Sequence, residues 1–311
     1  MQVIHFPDDP PPWWNQPVLA LGNFDGLHRG HMKIIDRVRR RAGERGGAPA
    51  AMTFSPHPPR VVRPDKAPPL LMTEEQKTEA LARSGMQGLA VLRFTTEVSH
   101  WEPETFVRTV LVEWLHVAEV WVGANFLFGH NREGNFSVLR SLGARYGFRA
   151  EKIDPVRYKD FVVSSTRVRR LVSEGRVDEA GALLGHHYFI DGVVMRGAGR
   201  GRGLGFHTAN VQTENELPPP SGVYATTVTI DDIVYASVTN IGMRPTFGDV
   251  DRPVIETHIF DYSRDLYDRR VRLSFLQRLR DERAFADVDA LRAQIEADCR
   301  SARRLFGRIS L

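Results

Sequence analysis

Val18-Leu19-Ala20-Leu21-Gly22-Asn23-Phe24-Asp25-Gly26-Leu27-His28-Arg29-Gly30-His31 is the stretch on which the fold turns. Four apolar residues read as a buried strand, and Gly22, Gly26 and Gly30 punctuate a turn before a basic helical run that begins at Met32. The first amides of a helix lack intrahelical partners and carry the positive end of its dipole, so strand, glycine turn and helix start make an anion site. His28 and His31, three apart, project on one side of it. Asp25, His28 and His31 are also a conceivable zinc set, but no cysteine lies nearby, and the preceding strand favours phosphate.

The chain has 311 residues, enough for two domains, and 42% of them are hydrophobic. Its 42 Lys and Arg against 38 Asp and Glu leave +4, a small excess that suits phosphate-bearing ligands through runs such as Arg37 to Arg45 and Arg196 to Arg202. Cys299 is the one cysteine, which excludes an intramolecular disulfide and fits a reducing compartment. No signal segment and no run near ~18 apolar residues is present, so a cytoplasmic protein without membrane association is expected.

Residues 1–184 alternate strand and helix signals. A helix over Met32 to Arg45 places Ile34, Ile35 and Val38 inward, and a strand over Ala50 to Phe54 runs into Ser55-Pro56-His57-Pro58-Pro59, which cannot continue it. The end of a parallel strand is where open α/β sheets bind ligands, making His57 a candidate. Thr73 caps a helix reaching Ser84, Gly88 to Phe94 is a strand, Glu102 to His116 a helix, and Ala118 to Gly123 a strand. That last strand delivers a glycine-rich loop, Gly123 to Asn135, with Asn125, Phe126 and Phe128 suited to a flat aromatic ligand. Ser164-Ser165-Thr166-Arg167 then opens a basic helix, repeating the anion chemistry of the first motif.

From Gly185 to Leu311 the pattern becomes closely spaced strands: Tyr188 to Met195, Gly222 to Ile230, Ile233 to Ile241, Val254 to Phe260 and Arg270 to Phe275. Asp231-Asp232 reads as a tight hairpin, and the spacing predicts a small antiparallel barrel closed by a helix over Val288 to Phe306 with Leu291, Ile295 and Leu305 buried. Arg196 to Asn210 holds five glycines and three arginines, a phosphate-cradling loop or a short RNA-binding segment.

The Gly22 to His31 stretch resembles the histidine motif of the nucleotidyltransferase superfamily. The motifs at Gly22 to His31, Ser55 to Pro59, Gly123 to Asn135 and Ser164 to Arg169, followed by His207-Thr208-Ala209-Asn210 and Glu256-Thr257-His258-Ile259-Phe260, resemble the prokaryotic bifunctional riboflavin kinase/FMN adenylyltransferases over essentially the whole chain. The resemblance implies a Rossmann-like nucleotidyltransferase domain with a parallel sheet over 1–184 and a riboflavin kinase-like β-barrel with a C-terminal helix over 185–311. It implies riboflavin, FMN, FAD and ATP as substrates or products, with Mg. ATP would meet Gly22, Asn23, Phe24, Asp25, His28, His31, Ser164, Ser165, Thr166 and Arg167 in the first domain, and Gly199, Gly203 and Gly205 in the second. Flavin would meet His57, Pro58, Asn125, Phe126, Phe128 and Glu256. Glu256 becomes the base for the riboflavin hydroxyl, His28, His31 and Arg167 the adenylyl-transfer residues, and Thr208 and Asn210 the Mg ligands. Departures fall at Leu127 (often Arg), Asn135 (often Asp), His207 (usually Pro) and Asp268 (usually Gly). Small-molecule substrates are the expected partners, with no nucleic acid and room for a weak homo-oligomer; a single-activity enzyme and an RNA-binding regulator are the competing readings.

Overall fold

The computed structural model describes residues 1–196, 206–243 and 253–308, so Gly199, Gly203 and Gly205 lie outside the described residues. By its contacts the chain divides into one unit of residues 1–69 and 73–164 and another of residues 70–72 and 165–311. The change of strand pattern at Gly185 and the break in contacts at Ser165 are different markers. The helices Ser165–Ser173 and Val177–Leu184 pack on each other, and the latter packs on the barrel strands of the second unit.

The first unit is built on six strands: β1 (Gln2–Phe6), β2 (Val18–Leu21), β3 (Pro49–Ser55), β4 (Gly88–Arg93), β5 (Glu119–Gly123) and β6 (Arg149–Ile153). They lie in the order β1-β4-β3-β2-β5-β6, all parallel. An unbroken apolar run suits a strand covered on both faces, and every residue of β2 is buried. The helix Arg29–Arg45 turns Ile34, Ile35, Val38 and Ala42 into the core and its arginines outward. It starts at Arg29 rather than Met32, because the His28 side chain supplies the cap. The expected helix over Glu102 to His116 is α-helical only over Pro103–Phe106 and continues as a π-helix over Val107–Trp114, burying Val110, Leu111 and Trp114. The sequence pattern gave no sign of β1 or β6, edge strands whose alternation is partly polar, nor of the helix Phe136–Tyr146 between two of the motifs. A two-stranded hairpin, β7 (Arg157–Tyr158) with β8 (Phe161–Val162), precedes Ser164.

In the second unit β9 (Tyr188–Met195), β10 (Ala209–Thr213), β11 (Gly222–Ile230), β12 (Ile233–Met243), β13 (Pro253–Ile259) and β14 (Arg270–Arg280) close a barrel in the order β10-β13-β12-β11-β14-β9, all pairs antiparallel. The hairpin between β11 and β12 has both turn residues, Asp231 and Asp232, at positive φ of 48° and 63°, as a two-residue turn matched to strand twist requires. β10 was read from sequence as the end of a loop; it is the strand that completes closure.

The C-terminal helix Val288–Phe306 corrects its sequence reading. Leu291, Ile295 and Leu305 are half-buried, and the buried positions are Asp298 and Ala302. Asp298 accepts three hydrogen bonds from the Arg280 guanidinium at 2.8–3.1 Å and one from Gln294 at 2.8 Å. The helix is thus held to β14 by a charge pair inside its apolar face, which periodicity cannot reveal. Asp298→Ala strands the Arg280 charge and should destabilise this unit by about 2 kcal/mol, read as a fall in the urea midpoint of the full chain.

Candidate active sites in the two units

In the first unit β2 lies between β3 and β5, the point at which successive crossovers change direction. In an open parallel sheet the crevice beyond the carboxyl ends of such strands is the ligand site. Those ends carry the Gly22 to His31 loop after β2, the Ser55 to Pro59 turn after β3 and the Gly123 to Asn135 loop after β5, so one sheet edge collects three motifs separated in sequence.

The first loop is a tightly built coil. Phe24 is fully buried with φ 50° and lies edge-on to His31 at 5.3 Å, anchoring the loop from within while Asn23 is exposed. The loop is tied to β3 through Gly22 N–H donating to Met52 O at 3.1 Å and Thr53 Oγ1 donating to Asn23 O at 3.1 Å. His31 N–H donates to His28 Nδ1 at 3.3 Å, so a neutral His28 carries its proton on Nε2. The two imidazoles stack at 3.7 Å with 12° between planes. A Cβ at Gly30 would come within 3.0 Å of the His28 ring, which explains the glycine.

Burial, then the neighbouring His28 and Lys77, hold the His31 imidazole well below its ordinary range, and its buried Nδ1 has no hydrogen-bond partner among the described residues. Lys77, 8% exposed, went unremarked in the sequence; it is pushed below the usual ammonium range by burial, against the pull of Asp25 and Glu74. The one hydrogen bond of its ammonium among the described residues is to Thr53 Oγ1 at 3.5 Å. A buried lysine four residues after a capping threonine carries no sequence signal, since a solvated helix face reads the same.

His57 and Pro58 are half-buried at the start of the short helix Pro58–Val62, and Ser55 Oγ donates to Glu74. In the third loop Phe126 and Phe128 stack at 5.4 Å; Phe128 is buried against Phe106 and paired through its backbone with Gly134, whereas Phe126 is half-buried and Asn125 exposed. Asn135 caps the helix Phe136–Tyr146, its Oδ1 accepting from Ser137 and Val138 N–H at 2.9 and 3.2 Å. Asn and Asp cap equally well, so that departure is structurally neutral. Leu127 is exposed. Ser164 ends this unit; Ser165, Thr166 and Arg167 form the first turn of the helix Ser165–Ser173 in the other.

The barrel unit has its own constellation. Glu256 on β13 stands directly opposite Asn210 on β10 and Asn240 on β12, and residues opposed in this way share a face, so one carboxylate sits between two amides. In the sequence Asn240 is only one residue of the strand read over Ile233 to Ile241. The next residue, Thr257, faces the interior, where Thr226, Ser237, Thr239 and Thr257 form a fully buried hydroxyl chain with links of 2.7–3.0 Å. Thr208 and His207 are exposed. The carbonyl of His207, not its ring, meets His258 Nδ1 at 2.9 Å, so a side chain other than proline leaves this anchor intact. Asp268 has φ 61°, the conformation that makes glycine usual there and that Asp tolerates.

Among known proteins, a family model described as FAD synthetase matches residues 11–167, and one described as riboflavin kinase matches residues 184–306. Bifunctional riboflavin kinase/FMN adenylyltransferases from Pseudomonas fluorescens and Bacillus subtilis are 38% and 35% identical, aligned over 93% and 94% of this chain and 92% and 93% of their own lengths. The chain belongs to the bifunctional riboflavin kinase/FMN adenylyltransferase family. A solved structure from Streptococcus pneumoniae named a macrolide-efflux protein is also similar, with TM-score 0.88, 26% identity, and coverage of 97% of this chain and 99% of that one. The efflux in that name is said of that protein; among the described residues here no helix is long and apolar enough to cross a membrane. Within this family the parallel sheet is the nucleotidyltransferase-like half and the closed barrel the riboflavin kinase-like half.

The depressed His31 imidazole fixes a pH dependence. Unfolding returns it to the ordinary value of 6.5, so below that pH the unfolded chain binds more protons. Its contribution to stability is full above about 6.5 and is lost progressively as pH falls from there through the lower value of the folded state. The urea midpoint should therefore drop between pH about 7.5 and about 5.5, and His31→Gln should reduce that drop.

Proposed function

We propose that residues 185–311 phosphorylate riboflavin to FMN and that residues 1–184 transfer the adenylyl group of ATP to FMN, giving FAD and pyrophosphate. The observation that carries this reading is the presence of both family matches, in that order, on one chain whose Glu256 stands between Asn210 and Asn240.

In the kinase half Glu256 takes the proton of the ribityl hydroxyl as its oxygen attacks the γ-phosphorus of ATP, with ADP leaving; Asn210 and Asn240 orient the reacting groups. Magnesium bound with ATP would neutralise phosphate charge there, and the hydroxyl of Thr208 and the amide oxygen of Asn210 are hard donors that fit it. In the transferase half a phosphate oxygen of FMN attacks the α-phosphorus and pyrophosphate departs. A phosphate monoester is already anionic, so no strong base is required and the work is orientation. His28 and His31, with the amides of Gly22 to Asp25, hold the phosphates, and Ser164 to Arg167 are the further nucleotide contacts that the family resemblance implies. Asn125, Phe126 and Phe128 with His57 and Pro58 line the flavin side, with Phe128 acting from beneath Phe126. A protein with one cysteine, working on ATP, is at home in the cytoplasm.

Purified chain supplied with riboflavin, ATP and Mg, its flavins separated over time, should form FMN first and FAD after it; no conversion of either flavin refutes the assignment. Glu256→Gln should lower FMN formation by at least about a thousandfold and leave FAD formation from supplied FMN intact, whereas His28→Ala should do the opposite. Chelation by EDTA should stop both conversions, and added Mg should restore them.

A further inference from the structure

The helix Glu74–Arg83 carries none of the motifs that identify the family half it sits in, yet it bonds to the end of β3, where one of the three loops begins, and its Lys77 lies close enough to Asp25 and His31 of the histidine loop to act on both. Glu74 accepts from Ser55 in the turn after β3, and Lys77, one turn later, reaches Thr53, whose hydroxyl in turn holds Asn23 of the histidine loop. The helix start is fixed by a reciprocal cap, Gln76 N–H donating to Thr73 Oγ1 at 3.2 Å and Thr73 N–H to Gln76 Oε1 at 2.8 Å, which leaves Lys77 little freedom. An ammonium has three donors. Here one is spent on a long bond to Thr53 and the charge is out of water, close enough to Asp25, Glu74 and His31 to act on each. A buried cation so thinly partnered is costly unless something anionic completes it.

We propose that Lys77 is a phosphate-binding residue of the adenylyl-transfer site, its remaining donors serving the β- and γ-phosphate oxygens of ATP and the pyrophosphate formed from them. The inference rests on the adenylyl-transfer reading of this unit. Asp25 and Glu74 favour the charged ammonium against its burial, while His31 beside it, held well below its ordinary range, supplies hydrogen bonding without repelling it. Lys77 thus adds an ammonium donor beside the two stacked imidazoles.

The test compares wild type, Lys77→Met and Lys77→Arg in FAD formation from supplied FMN. A wild type that makes no FAD would refute the adenylyl-transfer reading itself, separately from the role of Lys77. Given an active wild type, Lys77→Met should raise KM for ATP about tenfold to a hundredfold and weaken inhibition by added pyrophosphate by a similar factor, with KM for FMN unchanged. Lys77→Arg, which keeps the charge, should recover part of both losses. Its melting temperature should hold or rise in the methionine variant, because a desolvated charge is removed. Unchanged ATP and pyrophosphate constants would overturn the proposal, as would a loss shared equally by methionine and arginine variants and matched by a lowered melting temperature. Lys77→Gln is read by the same constants if the methionine variant does not fold.

Discussion

Everything in the first unit follows from β2 being hydrogen-bonded on both sides by parallel strands, β3 on one and β5 on the other. A parallel ladder sends every chain end to the same edge, and a strand buried on both faces must be apolar throughout. The polar chemistry is thereby expelled from the strands into the loops beyond their carboxyl ends. Loops whose starting points are 22, 55 and 123 in sequence converge because the ladder leaves them nowhere else to go.

The same constraint explains which parts were legible beforehand. The apolar run of Val18 to Leu21, the inward stripe of Ile34, Ile35 and Val38, and the Asp231-Asp232 turn all express a local periodicity or backbone need, and each is found as read. Illegible were features that depend on a partner distant in the chain. Asp298 looks like a solvent residue until Arg280 is placed beside it, and Lys77 until Thr53 and Asp25 are. Ala209–Thr213 becomes a strand only when β9 and β13 are present to pair with it. Phe24 and Phe128, named as ligand residues by motif, are buried, so whatever they do for a ligand passes through the loops they anchor.

On the proposed reading, the two halves meet phosphate with different materials. The parallel sheet unit offers a helix start, two stacked imidazoles and a buried lysine, groups whose positions come from turns and caps. The barrel unit sets its carboxylate and two amides in a straight row across three strands, so their spacing is the strand spacing itself. Loop departures such as Leu127 leave the first scaffold standing, and the backbone anchor of His207 does the same for the second.

The hydroxyl chain inside the barrel has a consequence for how this row can vary. A one-residue slip of β13 against β12 would turn Thr257 outward, bring Glu256 into the dry interior and leave the Thr239 hydroxyl without the acceptor it has in Thr257. Alignment of the Glu256 carboxylate and avoidance of a stranded hydroxyl are thus a single demand on the chain. A barrel that closes in the register its buried hydroxyls require therefore also sets Glu256 between Asn210 and Asn240, whatever the row is used for.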